Sequence, residues 1–432
     1  MLEAVNWYVS GALVPLLLMG LGAFFLIYLR GVPVCTPRRA LKTWRASRTG
    51  ERRASLRAVC LALAGTLGVG NLAGVAGAIA LGGAGAVFWM WVSAILAMVL
   101  KYAEIVLAMR YRKGGHGSTM ETLCAGGFSP RIGRWLSVLF AFLFLGTALS
   151  MGSGLQANAV ARTMSGVFGL TPLSLGLLLA GGLLLVLCRG REGVLGFCAW
   201  LVPLMTLLYV VLSVGVLILR WDRIPSAFSE IVRDAFAPDA AAGGAFGFLC
   251  SRRMRFGVMR GLISNEAGCG TAPTAHASAD GVSPAGQGVM GAVEVFVDTL
   301  VLCSLTALVV LVGDASLSHT DFMMMTVTAF TSVLGEAVAY PLALSVLCFG
   351  FATLVCWAHY GIESVRFLSP RPLPRYLFLC FFLLSVILGS LSESLLLWQL
   401  SDLAIGLMTL INLLNLFRMR REIKAESKTL ES

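Results

Sequence analysis

Charged residues are scarce in this chain: Asp, Glu, Lys and Arg make up only 13% of its 432 residues. A soluble domain carries about 25%. The deficit rules out the two or three water-exposed domains that length alone would allow. Histidine is rarer still. His116, His276, His319 and His359 are scattered and give no metal-ligand spacing. The eleven cysteines include no CxxC pair. Those inside apolar stretches, such as Cys60, Cys198, Cys303 and Cys348, read as small packing residues, not as disulfides or a metal site. No basic region precedes the first apolar stretch, which opens Met1-Leu2-Glu3 and is followed by a basic cluster. That order is the reverse of a cleaved signal peptide, so the segment is expected to stay. No nucleophile–base set converges, which makes a membrane enzyme the weakest reading.

What the chain has is apolar length. Hydrophobic residues are 58% and mean hydropathy is +0.85. Stretches of roughly 18–25 apolar residues fit a bilayer core. About eleven are read, at 7–29, 58–80, 85–109, 135–159, 173–188, 194–219, 244–276, 288–312, 341–365, 376–391 and 394–417. The fold class is therefore an all-α integral membrane protein.

The formal charge of +11 could suggest nucleic acid, but its distribution excludes that partner. The loop after the first span holds Arg30, Arg38, Arg39, Lys42, Arg45, Arg48, Arg52, Arg53 and Arg57. Alternate loops add Arg110, Arg112, Lys113, Arg131, Arg134, Arg189, Arg191, Arg366, Arg371 and Arg375, and the tail adds Arg418, Arg420, Arg421, Lys424 and Lys428. The other side has Arg162, Arg220, Arg223 and Arg233. Under the positive-inside rule this asymmetry predicts an outer N-terminus and a cytoplasmic C-terminus in a cell's inner (plasma) membrane. Contact with membrane lipid, anionic lipid in particular, follows.

With the first span set aside, ten remain, divisible into five plus five. Because five is odd, the halves have opposite orientation. The expected organisation is an extra first helix and basic loop (1–55), a first repeat (56–220), a second repeat (221–418) and a cytoplasmic tail (419–432). Ile224–Ala242 reads as an outer loop with a short amphipathic helix, and Gly313–Tyr340 as the other long outer connection.

Each half opens with a Gly/Ala-rich span interrupted around an asparagine. The first is Gly65-Thr66-Leu67-Gly68-Val69-Gly70-Asn71, and the second Gly261-Leu262-Ile263-Ser264-Asn265-Glu266-Ala267-Gly268. Irregular backbone at membrane depth survives only where protein covers it or it lines a polar cavity. Paired interruptions in the two halves are the best sequence pointer to a transporter's binding site. Gly70-x-x-x-Gly74 alone would serve helix packing, but packing does not call for Asn71. Broken backbone offers carbonyls to a dehydrated sodium ion and helix N-termini to a carboxylate.

Ser264, Asn265 and Glu266 are costly in a span unless they face protein or water. The bland alternative is a polar cluster holding the break together, with Glu266 neutral or paired to Arg260. Asn265 is the better cavity-lining candidate. Gln156 and Asn158 follow Gly152-Ser153-Gly154 and either line the site or hydrogen-bond between helices. Thr353 and Trp357 share a helical face at i, i+4; back-bonding of the threonine and core packing of the tryptophan are the plain alternatives. Lys101 and Glu104, at i, i+3, are explained by snorkelling and a local ion pair. Glu294 and Asp298, at i, i+4, carry like charge and read as gating, packing or proton-relay groups.

These residues resemble the alanine/glycine:cation symporter family, also called sodium:alanine symporters. The match runs through Gly65–Arg112, Gln156–Ala161 (QANAVA), Arg260–Leu311, Phe349–Gly361 and Trp398–Asn412. Its most specific string is SNEAGCGTAPTAHA, beginning at Ser264. The resemblance implies eleven spans, ten of them in a leucine-transporter-type inverted-repeat fold with two broken helices. It also implies symport of alanine or glycine with sodium as coupling ion and no organic cofactor. By motif position, Leu67, Gly68, Val69 and Gly70 would cradle the amino acid, with Asn71 at the ion. Gln156 would contact the substrate, Ile263 and Trp357 would form apolar walls, and Asn265 would face the cavity. Ala64, Leu67, Asn71 and Thr353 would serve sodium, Thr353 also meeting the substrate.

Departures from the family's pattern are Val69 for a usual Thr, Ala352 for a Ser or Thr, Ile263 for a Phe and Ala84 for a Pro, with Gly114–Thr122 in place of a GGPMYY-like stretch. The first two remove hydroxyls near the expected ion and substrate. The third predicts a wider pocket. The expected function is secondary active import of a small neutral amino acid by alternating access. Alternatives are a proton-coupled carrier of another small amino acid, acting through Glu266, Glu294 or Asp298, or a sensor or channel on the same fold. A sensor would need a soluble output domain and a channel a continuous polar lining; the polar residues instead cluster at one level.

Overall fold

The computed structural model describes residues 6–31, 49–113, 116–237, 251–313, 321–392 and 394–430. The basic residues Arg38, Arg39, Lys42, Arg45 and Arg48, the outer-loop residues Asp314 and His319, and the start of the seventh apolar stretch lie outside them. Apart from a backbone bridge between Lys113 and His116, regular structure among the described residues is helical. In chain order the helices are α1 (Asn6–Tyr28), α2 (Thr49–Thr66), α3 (Val69–Gly82), α4 (Gly85–Tyr111) and α5 (Thr119–Ala125). There follow α6 (Pro130–Phe168), α7 (Pro172–Leu187), α8 (Gly190–Leu219), α9 (Ile224–Ala235), α10 (Arg252–Asn265) and α11 (Ala272–His276). The series ends with α12 (Pro284–Val312), α13 (Phe322–Leu334), α14 (Ala339–Leu368), α15 (Pro372–Leu391), α16 (Ser394–Arg418) and α17 (Arg420–Ser427).

Eight of these helices are long and apolar enough to cross a bilayer, and nine if α2 and α3, bent by 61°, count as one. The seventh apolar stretch of the sequence becomes α10, an irregular link and α11. With Arg252, Arg253, Arg255 and Arg260 on α10, it is too polar to qualify by composition.

Burial sorts the helices into an inner and an outer set. Trp357 and Tyr360 of α14 and Tyr102 of α4 are almost wholly enclosed, and α4 packs along α10 and α12. On α7, α8 and α15, by contrast, Leu178, Leu185, Trp200, Leu207, Phe381 and Leu388 are exposed, which is what a lipid-facing surface demands. Helix starts carry the expected chemistry: Thr171 and Ser283 accept N–H groups of the first turn, and Pro172 and Pro284 occupy the first helical position.

Two helices widen as they pass the centre. α6 has a π-helical stretch at Ser150–Leu155 and α12 one at Phe296–Cys303. Such bulges sit disproportionately at functional sites. A Cβ on Gly152 would lie 2.4 Å from Trp357 Cγ, so only glycine admits the indole against the α6 bulge.

Loop ion pairs fall at two ends of the bundle, and the second carries Arg253 in addition to the arginines the sequence count assigns to that side. On one end Arg57 pairs with Glu192, Arg112 with Asp280, and Arg366 with Glu363 beside His116. This is the basic face. On the other, Arg162 pairs with Asp321, Arg253 with Asp234, and Asn6 bonds the Gln399 carbonyl.

Candidate functional site

The first break follows from its sequence. The α2 ladder closes with Leu67 N–H on the Leu63 carbonyl at 2.7 Å. Gly68 then turns extended (φ −130°, ψ −153°), and Val69–Asn71 form one 3₁₀ turn before α3 proceeds. Gly68 is hemmed in on two sides. A Cβ there would stand 2.8 Å from Thr353 Oγ1 and 2.9 Å from Gln156 Oε1. Gln156 Oε1 accepts the Val69 N–H at 3.1 Å, and its Nε2 donates to the Met151 carbonyl in the α6 bulge at 3.2 Å.

Thr353 meets the same turn through its hydroxyl. Its Oγ1 lies 3.0 Å from the Ala64 carbonyl, 3.5 Å from the Leu67 carbonyl and 3.0 Å from the Phe349 carbonyl of its own helix. The plain reading of Thr353 holds, since it is back-bonded to Phe349, and its hydroxyl also reaches two carbonyls of the break. Neutral oxygens of this type suit a hard cation better than a soft one.

Asn71 engages a different set. Its Oδ1 accepts the Gly68 N–H at 3.2 Å, and its Nδ2 donates to Asp298 Oδ1 at 2.6 Å. Asp298 Oδ2 in turn accepts from Ser264 Oγ at 2.8 Å and Thr299 Oγ1 at 2.7 Å. Asn265 Nδ2 donates to Thr299 Oγ1 at 3.1 Å. One carboxylate on the α12 bulge thus ties the first break to the second. The two breaks also touch, since a Cβ on Gly70 would be 3.3 Å from Ser264 Cα and 3.6 Å from the Ile263 carbonyl.

The second break begins at Glu266, whose φ of +53° is left-handed, and continues through Gly268 (φ +89°) and Gly270 (φ +83°). Asn265 Oδ1 caps the Ala267 N–H at 3.0 Å. Glu104 accepts the Gly270 N–H at 3.0 Å, while Asn412 donates to both Glu104 and the Gly268 carbonyl. Glu266 Oε2 accepts from Thr271 at 2.6 Å. Arg260 is not its partner; it pairs with Asp402 at 3.1 Å and covers the Trp398 ring.

Lys101 corrects the local reading of Lys101 and Glu104. It does not snorkel. Fully buried, it donates to the Asn265 carbonyl at 2.8 Å and pairs with Glu294 at 3.0 Å. Glu294 also meets His276 at 2.9 Å, and His276 reaches Gln287, which bonds Ser55. Glu294 and Asp298 therefore have separate surroundings despite their i, i+4 spacing.

Ile263 and Trp357, expected as apolar walls, are both buried. Trp357 packs on Phe144 and Tyr360, and its Nε1 has no hydrogen-bond partner among the described residues. Asn158 turns away from the centre and bonds the Gly389 and Ser392 carbonyls, taking the interhelical role. A cavity of about 20 Å³ abuts Val69 and is bounded by Asn158, Arg162, Asp321, Phe322 and Trp398. That is room for about one water. The central residues are shut off from both faces. Sequence reasoning missed the ties of Asp298 and Lys101 to the breaks; the available signal was that a mid-span charge demands a partner.

The sequence profile of the sodium:alanine symporter family matches residues 1–432. The sodium/alanine symporter AgcS of Methanococcus maripaludis is 33% identical over 99% of this chain and 96% of its own length. The probable sodium/glutamine symporter GlnT of Bacillus subtilis is 32% identical, covering 95% of this chain and 86% of its own. Among solved structures, a manganese transporter of Eremococcus coleocola superposes with a TM-score of 0.55 at 13% identity, over 83% of this chain and 76% of that one, which is a likeness of fold alone.

Proposed function

The chain belongs to the sodium:alanine symporter family, and on that premise we propose that it imports a small neutral amino acid, alanine or glycine, with sodium by alternating access. The observation that carries the reading is the convergence on Gly68 of Gln156 from α6 and Thr353 from α14, at a break whose far side is held by Asp298. Gln156 Oε1 occupies the Val69 N–H that a substrate carboxylate oxygen would take. The carboxylate displaces it, and the amide swings to the substrate. The carbonyls of Ala64 and Leu67 with Thr353 Oγ1 hold sodium, while Ile263 and Trp357 wall the side chain. Asn71 and Asn265 keep the two breaks in register through Asp298 and Thr299.

In this reading eleven spans are counted by adding α7 and the α10–α11 pair, and ten of them form two inverted repeats. The basic face is cytoplasmic and the N-terminus is outside. Each ligand binds better when the other completes the site, a coupling of about 1–3 kcal/mol. An inward-moving cation adds about 2.3 kcal/mol per 100 mV.

The test is labelled alanine uptake into vesicles under separate sodium and proton gradients. Accumulation with sodium and none with choline is expected. Uptake that follows a proton gradient alone would reassign the coupling ion, an outcome kept in view by a Bacillus subtilis relative described as a putative sodium/proton-dependent alanine carrier, 30% identical. Glutamine as competitor tests the wider pocket expected from Ile263.

A further inference from the structure

A cavity of about 350 Å³ opens on the basic face between α1 and α17, lined by Tyr28, Leu29, Arg30, Lys424, Ser427 and Lys428. Its walls come from two ends of the chain. α1 terminates there in a left-handed turn, Arg30 at φ +55° and Gly31 at φ +69°. Lys424 lies 4.3 Å over the Tyr28 ring. None of Arg30, Lys424 and Lys428 forms an ion pair among the described residues, and no acidic residue lines the cavity. Among the described residues the acids nearest in sequence are already engaged: Glu422 and Glu426 both pair with Arg110, and Glu422 also accepts from Tyr111.

Three cations around one hollow, without a counter-charge among the described residues, repel each other, and an anion relieves that repulsion. The lipid-facing flank of α1 beside it, with Ile27 78% exposed, sets the hollow at a bilayer's edge. We propose that this cavity binds the phosphate of an acidic phospholipid headgroup, with Arg30 on one side and Lys424 and Lys428 on the other. A lipid phosphate there clamps α17 in place. α17 lies across the basic end of α4, joined through Arg110, Tyr111 and the Tyr102–Ser427 bond at 2.9 Å. The headgroup thereby fastens a strap over the helix that carries Lys101 and Glu104 to the second break.

The test uses the full chain in nanodiscs or detergent, with phosphatidylglycerol and phosphatidylcholine compared by native mass spectrometry. Each surface cation contributes about fivefold to binding of acidic lipid. The triple variant Arg30→Gln/Lys424→Gln/Lys428→Gln is therefore expected to bind phosphatidylglycerol about a hundredfold more weakly. A control with the same charge change elsewhere on that face, Arg189→Gln/Arg371→Gln/Arg375→Gln, is expected to keep the lipid. Equal retention by both variants overturns the site. Inorganic phosphate that displaces the lipid at equal concentration overturns the lipid assignment. Amide exchange over 420–428 supplies a second readout: phosphatidylglycerol should slow it in the parent and not in the triple variant, and no slowing in the parent overturns the clamp.

Discussion

Single residues fix the geometry of the first break, and Gly68 is the tightest of them. A methyl group added there meets Thr353 Oγ1 at 2.8 Å, on a short side chain bonded to carbonyls, and Gln156 Oε1 at 2.9 Å, which would have to give up the Val69 N–H to make room. Overpacking of this kind costs about 1–3 kcal/mol. Gly68→Ala is expected to remain folded yet lose alanine uptake by at least about tenfold, because the displaced groups are the proposed ligands. Normal uptake by a folded Gly68→Ala protein would remove Gln156 and Thr353 from the site. Asp298 supports a second prediction. Its carboxylate satisfies Asn71, Ser264 and Thr299 together. Asp298→Ala removes the best acceptor of three buried donors and leaves Asn71 and Ser264 only longer contacts, to Cys303 Sγ and, for Asn71, the residue-298 carbonyl. An unsatisfied buried donor costs about 1–3 kcal/mol, whereas Asp298→Asn retains one acceptor oxygen. Thermal unfolding in detergent should rank parent above Asn above Ala, and a reversed order of the two variants would remove the tie between breaks.

At the scale of elements, Lys101 matters because of where its ammonium ends. It lies on α4, bonds the last carbonyl of α10 at Asn265, and pairs with Glu294 of α12. A cation at a helix C-terminus is favourable by dipole and by hydrogen bond. Lys101→Met takes the ammonium from a helix-end carbonyl and from Glu294, which keeps only His276 and Thr66, and breaking a buried pair costs about 3–5 kcal/mol. The double variant Lys101→Met/Glu294→Gln should recover part of that loss; a purely additive double variant would show that the pair is not coupled. This contact also marks the limit of what the sequence reveals. The breaks were legible, since Gly68, Gly70 and Asn71 are out of place in a spanning helix and Glu266-Ala267-Gly268-Cys269-Gly270 cannot continue one. Their partners were not. Lys101 reaches Asn265 across 164 positions and Asn71 reaches Asp298 across 227. Spacing rules see only i+3 and i+4, which match Lys101 to Glu104; Arg260 and Glu266 stand six apart, and only nearness in sequence suggests that pair.

On the scale of the whole molecule, the two faces are closed by different means. On the basic face α17 straps α4 through Arg110, Tyr111 and Tyr102. On the other, the Arg162–Asp321 pair at 3.2 Å bounds the small cavity beside Val69, and Arg260–Asp402 at 3.1 Å lies behind Trp398 on the same cavity's edge. The first of these pairs is partly solvated, with side chains 39% and 25% exposed, so it is weak, about 0–1 kcal/mol. A weak latch suits a gate, because a two-state equilibrium shifts only by the difference in free energy between its states. Val69 is 1% exposed behind this latch and adjoins the small cavity it bounds. In a Val69→Cys background, Asp321→Asn should raise the labelling rate by an impermeant thiol reagent from the non-basic side. The expected gain is at most about fivefold, the factor that 1 kcal/mol allows. Alanine with sodium should slow labelling in both proteins by favouring closure. A rate indifferent to Asp321→Asn would mean that Arg162–Asp321 decorates the entrance without governing it, and that Arg260–Asp402 and Trp398 alone set outward opening.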